Sequence, residues 1–132
     1  MKHHLTLSLS VAIMLIACNH QTSNDKMTDS NNVYRVIWKY RIKPEHKEKF
    51  EFEYGSNGTW SLLFAKSDNY KGSYLCKSEA EAHSYILIDT WINKQTYEDF
   101  KRMNQEAYDQ ISAGFEYLYE TEENIGSFIP VQ

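Results

Sequence analysis

One carboxylate in this sequence has the neighbours that acid–base chemistry needs. The segment 83–91 is predicted to be a strand, and alternation along it places Asp89 on one face with Tyr85, Leu87 and Trp91. If that face is buried, desolvation raises the pKa of the Asp89 carboxyl group and makes it a candidate general base. From the sequence alone we favour the alternative, in which Asp89 forms an ion pair with a basic residue of the first strand. The basic residues available for that pair are Arg35, Lys39 and Arg41.

Aromatic residues are unusually frequent, with ten Tyr, six Phe and three Trp in 132 residues. Such side chains bury large apolar areas, and Tyr and Trp keep one polar group each. They are therefore suited to line a cavity for a flat ligand, and equally suited to fill a core. Trp91 fits a ligand cavity and a core equally well, whereas Trp38 is more typical of a core or of a contact between subunits.

Charge and metal-ligand types exclude several functions. The formal net charge is −4 and no basic stripe occurs, so nucleic acid is not an expected partner. The only cysteines are Cys18 and Cys76, too few for a disulfide framework or a four-cysteine metal site. His46 and His83 have no ligand at metal-binding spacing, so no metal site is predicted. We expect Cys76 to be a small buried residue of the second strand.

The first 32 residues differ in kind from the rest. Residues 1–17 combine a short basic start with an apolar stretch of signal-peptide length. The stretch ends in Leu-Ile-Ala-Cys, which resembles the lipobox of bacterial lipoproteins and implies lipid attachment at Cys18. Residues 18–32 are then a polar tether that buries too little to fold. We expect a lipid-anchored protein of the cell envelope. Asn19 weakly favours an outer membrane facing the periplasm, where the cell has one.

The remaining chain, 33–132, is predicted to be one α+β domain. The expected elements are strand 33–42, helix 44–55, a short helical piece 60–65, strands 72–77 and 83–91, a long helix 93–118, and a last short strand 125–131. Asn93, or alternatively Thr96, caps the long helix. This βαββαβ order is typical of a ferredoxin-like sheet with one bare face. The simplest partner for a bare face that carries aromatic residues is a second copy of the chain.

A set of short motifs then resembles a known family. Residues 52–64 contain Tyr-Gly-x-x-Gly-x-Trp-x-x-Leu-Phe, and 89–91 read Asp-Thr-Trp. Tyr97, Phe100, Tyr108 and the segment 123–128 follow at matching intervals. Together they are similar to the antibiotic biosynthesis monooxygenase-like domains, over residues 33–130. The resemblance implies a homodimeric α/β barrel with a pocket between sheet and helices in each protomer.

The resemblance also implies a chemistry and a pocket. Members of this family include cofactor-free oxygenases of quinol-type aromatics, in which a base deprotonates the substrate inside a dry aromatic cavity. Asp89 is the matching catalytic candidate. The pocket residues implied are Tyr54, Trp60, Trp91, Tyr97 and Tyr108. Haem-degrading members use a histidine on the second helix and an asparagine on the first strand. Both are missing from 93–118 and 33–42, so no cofactor is expected.

The sequence therefore predicts a membrane-tethered domain that binds a small aromatic or quinol-type compound and oxidises it without a cofactor. Two other classes remain open. One is a barrel that binds a lipophilic ligand without catalysis, and the other is an interaction lipoprotein that uses its exposed sheet face. A closed aromatic pocket with a buried titratable group favours the enzyme. A pocket without a base favours the binder, and a filled core with a large exposed patch favours the interaction protein.

Overall fold

The computed structural model describes residues 33–131, so the predicted signal peptide, Cys18 and tether lie outside the described residues. The described part is a four-stranded antiparallel sheet with helices on one face. Its elements are β1 Tyr34–Ile42, α1 Lys47–Glu53, α2 Thr59–Phe64, β2 Tyr70–Lys77, β3 Ser84–Trp91, α3 Lys94–Met103, α4 Gln105–Phe115 and β4 Tyr119–Phe128. The strand order is β2-β3-β1-β4. The prediction of a ferredoxin-like α+β fold is confirmed.

The side chains of β1 alternate between the two faces of the sheet. Tyr34, Val36, Tyr40 and Ile42 are buried beneath the helices, whereas Arg41 on the other face is exposed. A period of two is what a strand with one covered face requires. Pairing with β3 on one side and β4 on the other makes β1 a central strand.

The connection between α1 and α2 is tight because Gly58 packs against backbone. A Cβ atom at Gly58 would lie 2.2 Å from the carbonyl oxygen of Phe52 and 2.3 Å from that of Glu53. Such an approach excludes every side chain, so α1 and α2 meet closely only with glycine here. The second helix then buries Trp60, Leu63 and Phe64 against the sheet.

The prediction of one long helix over 93–118 is wrong in its middle. The helix is divided at Asn104 into α3 and α4, and residues Glu116–Leu118 form a 3₁₀ turn. Asn104 donates from Nδ2 to the carbonyl oxygen of Phe100 at 2.9 Å. A short polar side chain that bonds the backbone competes with the helical pattern, which explains the break. Asn93 is the N-cap of α3, accepting from the Thr96 N–H at 2.9 Å.

The last strand is longer and begins earlier than the predicted segment 125–131. β4 covers Tyr119–Phe128 and pairs with β1 from Ile42 back to Arg35. Its first half is acidic and largely exposed because β4 is an edge strand. A segment that is wet on both faces shows no hydrophobic period, so only the pairing with β1 reveals the strand.

The bare face of the sheet carries an apolar stripe. Pairing registers place Tyr74, Ile88 and Ile37 in one row across β2, β3 and β1. Tyr74 on β2 is 63% exposed. Cys76 lies on this same face and is exposed, so the prediction that it is buried is wrong. The cause is that Cys76 sits on the edge strand β2, where only the residues facing the helices are covered.

Candidate functional site

A small cavity lies between the sheet and the helices. Its volume is about 40 Å³, room for a water molecule or two but far below the ~300–1,000 Å³ of typical ligand pockets. The wall is largely aromatic and contains two carboxylates. The lining residues are Trp38, Tyr40, Tyr54, Trp60, Phe64, Leu87, Asp89, Tyr108, Ser112 and Glu122. A ring-sized ligand enters only if part of this wall moves.

Asp89 is the buried polar group of the cavity. It sits on β3 and is 4% exposed. The Ser73 hydroxyl on β2 donates to Asp89 Oδ1 at 2.5 Å, and the Tyr70 hydroxyl donates to Ser73 Oγ at 2.6 Å. Register explains the contact, because Ser73 pairs directly with Asp89 across the β2–β3 hairpin. The two hydroxyls form a chain that holds the carboxyl group in one orientation beside the cavity.

Burial sets the protonation of this carboxyl group. Desolvation raises the pKa of Asp89 to about 7, and the hydrogen bond from Ser73 opposes part of that rise. A carboxyl group with this pKa takes up and releases a proton near neutral pH, as general acid–base catalysis requires. Asp89 therefore has the burial, the fixed geometry and the proton affinity of a general base.

The favoured alternative, an ion pair between Asp89 and the first strand, is wrong. Asp89 pairs in register with Val36, so both face the helices, whereas the neighbouring basic residues face the opposite side of the sheet. On that outer side, Lys39 and Arg41 approach Glu81 instead, at 3.5 and 3.6 Å. The basic residues of β1 suggested this ion pair, but alternation along the strands places them and Asp89 on opposite faces of the sheet.

Trp60 contributes an unused donor to the cavity wall. Its side chain is 7% exposed, and its Nε1–H has no acceptor in good hydrogen-bond geometry among residues 33–131, although Trp60 lies close enough to the Tyr54 hydroxyl to oppose part of the rise in the pKa of that group. A buried donor without a partner carries a desolvation cost that a ligand acceptor would remove. Trp60 is held by the Tyr108 ring, whose centroid lies 4.7 Å away. Burial also raises the pKa of Tyr40, Tyr54 and Tyr108, which keeps their hydroxyls protonated.

The structure brings together four of the six predicted site residues. Asp89, Tyr54, Trp60 and Tyr108 line the cavity, whereas Trp91 and Tyr97 do not. Those two belong to an aromatic cluster beneath α3, with Trp91 fully buried and its ring 5.8 Å from that of Tyr97. Trp91 lies outside the cavity because it is the last residue of β3, two positions beyond Asp89 along the strand.

Sequence reasoning missed several residues of the site. Ser73 and Tyr70 were not singled out, because the register that pairs Ser73 with Asp89 is set only in the folded sheet. Glu122 precedes the predicted last strand 125–131, and only the early start of β4 brings it to the cavity. Trp38 was considered part of the core or of a subunit contact, and it lines the cavity.

Within residues 33–131, no group of three or more His, Cys, Asp or Glu side chains is arranged to hold a metal ion. In the same range, none of the helices has the length and apolar character needed to cross a membrane.

Known proteins resemble this domain in structure and not in sequence. No protein-family model matches the sequence, and no curated protein gives a significant match. The cofactor-independent oxygenase SnoaB from Streptomyces nogalater superposes with a TM-score of 0.58 at 16% identity, over 76% of this chain and 95% of SnoaB. PA3566 from Pseudomonas aeruginosa gives 0.56 at 18% identity, over 76% of this chain and 96% of its own.

A third solved structure carries the family description itself. It is a Nitrosomonas europaea protein provisionally described as an antibiotic biosynthesis monooxygenase, with a TM-score of 0.57 at 10% identity, over 76% of this chain and 92% of its own. The domain has the fold of the antibiotic biosynthesis monooxygenase-like proteins. At these identities the likeness extends to the fold alone, and the chemistry of this domain has to be argued from its own residues.

Proposed function

We propose that this domain is a cofactor-independent oxygenase of small phenolic or quinol-type aromatics, with Asp89 as general base. The observation that carries the proposal is a buried carboxyl group, held by Ser73 at 2.5 Å, in the wall of an aromatic cavity. The same fold in SnoaB, a cofactor-independent oxygenase, supports it.

The proposed reaction uses electrons of the substrate itself. Asp89 takes the proton of a phenolic hydroxyl, and the phenolate is electron-rich enough to reduce dioxygen. A carbon–oxygen bond then forms at the para carbon, which carries a hydrogen. Loss of that hydrogen with the outer peroxide oxygen releases water and leaves a carbonyl group. One phenol and one dioxygen thus become one quinone and one water. The aromatic wall keeps bulk water from the intermediates.

The test is oxygen consumption by the purified chain with 1-naphthol, a phenol with a free para carbon, and without added metal or flavin. We expect uptake above the autoxidation blank, rising with pH through about 7 as Asp89 loses its proton. Asp89→Asn should lower the rate by about 100-fold or more, the usual scale of a lost general base. Asp68→Asn is the matched control, because Asp68 is exposed.

Two outcomes would count against the proposal. Equal uptake by the wild type and Asp89→Asn would remove Asp89 from the chemistry. No uptake with a panel of naphthols and hydroquinones, combined with saturable quenching of tryptophan fluorescence, would favour the lipophilic-ligand barrel instead.

We also propose that the chain is a lipoprotein of the cell envelope, tethered through Cys18. Support comes from residues 1–32 of the sequence, which combine a signal-like apolar stretch, a lipobox-like Leu-Ile-Ala-Cys and a polar segment. Acyl chains at Cys18 would hold the domain near a membrane, where lipophilic quinols concentrate. Cys18→Ser should release the chain from the membrane fraction, and unchanged fractionation would refute the tether.

A further inference from the structure

The chain enters the described domain and leaves β4 at the same end of the sheet. β1 begins at Tyr34 and β4 ends at Phe128, and the antiparallel pairing places these two residues one position apart. Residues 129–131 therefore continue past the end of the strands, next to the point where residues 18–32 join the domain. We call this end of the sheet, with Tyr34 and residues 129–131, the tether end.

The tether end carries exposed aliphatic side chains. Ile129 is 72% exposed and Val131 is 97% exposed. Ile92 follows the last residue of β3 at this end and is also exposed, and its N–H donates to the Asn69 carbonyl oxygen at 2.9 Å. Exposed apolar side chains gathered in one place are typical of a contact surface, whereas scattered ones are not.

A surface groove continues this region toward the helices. Its volume is about 380 Å³, and it lies between α3 and the loop that precedes β2. Met103 of α3 lines it and is 79% exposed. Asn69 lines it as well and accepts the bond from Ile92, so the groove and the aliphatic residues of the tether end adjoin each other.

Charge distinguishes the two ends of the sheet. β4 has three glutamates in its first half, at the far end, and no carboxylate in residues 124–128. At the tether end, residues 65–71 hold two lysines, Lys66 and Lys71, against one carboxylate, Asp68. A layer of anionic lipid headgroups therefore repels the first half of β4 and attracts the tether end.

Pro130 favours a lipid surface over a second copy of the chain as the partner of this end. It lies between Ile129 and Val131 and has no N–H, so this segment cannot offer another strand a full row of hydrogen bonds. The missing donor also leaves one polar group fewer to desolvate beside acyl chains. Aliphatic side chains bordered by lysines are typical of segments that lie at a lipid interface.

The position of the predicted anchor brings this end to a membrane. Fourteen residues, 19–32, separate Cys18 from Val33, and they span at most about 50 Å. The other end of β1, at Ile42, lies about 27 Å farther along the strand. Acyl chains on Cys18 would keep the tether end at a high effective concentration next to the bilayer, where even a weak contact becomes populated.

We propose that the tether end is a membrane-contact surface, in which Ile92, Ile129 and Val131 enter the headgroup region of the bilayer that holds the Cys18 anchor. The partner is a lipid surface, and the lysines at this end meet the headgroup phosphates. The inference rests on the proposed tether and goes beyond it, because a tether alone would let any surface of the domain face the membrane. The contact stands the sheet on its end and keeps both of its faces out of the lipid.

The test uses the full lipidated chain in vesicles of phosphatidylethanolamine and phosphatidylglycerol that contain nitroxide-labelled lipid. Bimane is attached at Ile129→Cys in a Cys76→Ser background, since Cys76 is exposed. The comparison site is Ala80→Cys, in the exposed turn between β2 and β3 at the far end of the sheet. We expect the nitroxide lipid to quench bimane at position 129 several-fold more than at position 80, because about the length of the sheet separates them.

A second comparison separates contact from mere nearness to the anchor. Bimane at Met103→Cys reports on the same surface without altering the aliphatic segment. Adding Ile129→Asp and Val131→Asp should lower its quenching by the nitroxide lipid several-fold, because carboxylates resist entry into an anionic headgroup layer. Ala80→Asp and Thr121→Asp put the same two charges at the far end and should leave the quenching unchanged. All five sites are exposed, so the core is not disturbed.

The outcomes separate this surface from the tether on which it rests. Equal quenching at positions 129 and 80 in a lipidated chain would overturn the surface and leave the tether. Quenching at position 103 that survives the two aspartates, or falls equally in the control pair, would overturn it as well. Protection of position 129 from both nitroxide lipid and aqueous iodide would show a second copy there instead. A chain with no lipid on Cys18 by mass spectrometry would overturn the tether and the surface together.

Discussion

At the scale of single residues, environment rather than identity makes Asp89 unusual. Asp68 and Asp89 have the same side chain, but Asp68 is exposed and Asp89 is 4% exposed. Desolvation alone outweighs the hydrogen bond from Ser73, so the pKa of Asp89 rises rather than falls. Alternation along the predicted strand placed Asp89 on the face that is buried, and the ion pair favoured from the sequence does not form because the basic residues of β1 lie on the opposite face of the sheet.

Burial of Asp89 should make stability depend on pH in a defined direction. Its pKa is about 7 when folded and 3.8 ordinarily, so between these values the folded state holds a proton that the unfolded state has lost. This contribution to stability therefore falls as pH rises from about 4 to 7 and is constant above. Asp89→Asn removes this loss. We expect its Tm to exceed that of the wild type by about 5 °C or more at pH 8, and by much less at pH 5.

Thermal unfolding at a series of pH values checks this expectation, with Asp68→Asn as the exposed control. Parallel curves for Asp89→Asn and wild type across pH 5–8 would mean that Asp89 keeps an ordinary pKa. They would also remove the main support for its role as a base.

At the scale of elements, periodic segments were predicted well and segments governed by pairing were not. β1 and the N-cap at Asn93 follow from local pattern, and both are confirmed. The break at Asn104 and the early start of β4 were missed. A side chain that bonds its own backbone, and an edge strand wet on both faces, leave no periodic signal.

Gly58 and Gly114 allow a matched test of the helical layer. A Cβ atom at Gly58 would meet two carbonyl oxygens, whereas at Gly114 in α4 nothing lies within 4 Å. We expect Gly58→Ala to lower the free energy of unfolding by about 2–3 kcal/mol. Gly114→Ala should raise it by about 0.5–1 kcal/mol, because alanine loses less backbone entropy in a helix. Urea denaturation measures both, and equal effects would contradict the close packing at Gly58.

At the scale of the whole molecule, we propose that the bare sheet face joins two copies of the chain. The apolar stripe on this face supports the proposal, because it lies on the face opposite the core and contact with a second copy would remove it from water. The residues in it are Ile37, Tyr74, Ile86, Ile88 and Phe128. A self-complementary face of this kind would also leave both cavities, on the helical side, open to ligand.

Ile88→Lys puts a charge at the centre of that face. We expect light scattering to give a dimer mass for the wild type and a monomer mass for the variant, with unchanged far-ultraviolet circular dichroism. Leu62→Lys is the control, since Leu62 is 65% exposed on the helical side. A monomeric wild type, or a dimer that persists in Ile88→Lys, would refute this face as the interface.

The amino-acid sequence by itself determined the order of the elements, the ferredoxin-like fold, and the face of the strand on which Asp89 lies. These follow from local periodicity and residue type, which act over a few positions along the chain. Tyr54, Trp60 and Tyr108 were expected beside a pocket only because of the family resemblance. Only the tertiary structure decided the rest. It paired Ser73 with Asp89, brought Glu122 to the cavity, and moved Trp91 and Tyr97 out of its lining. Contacts across a sheet depend on register, and register is set by the packing of the entire domain rather than by any one segment.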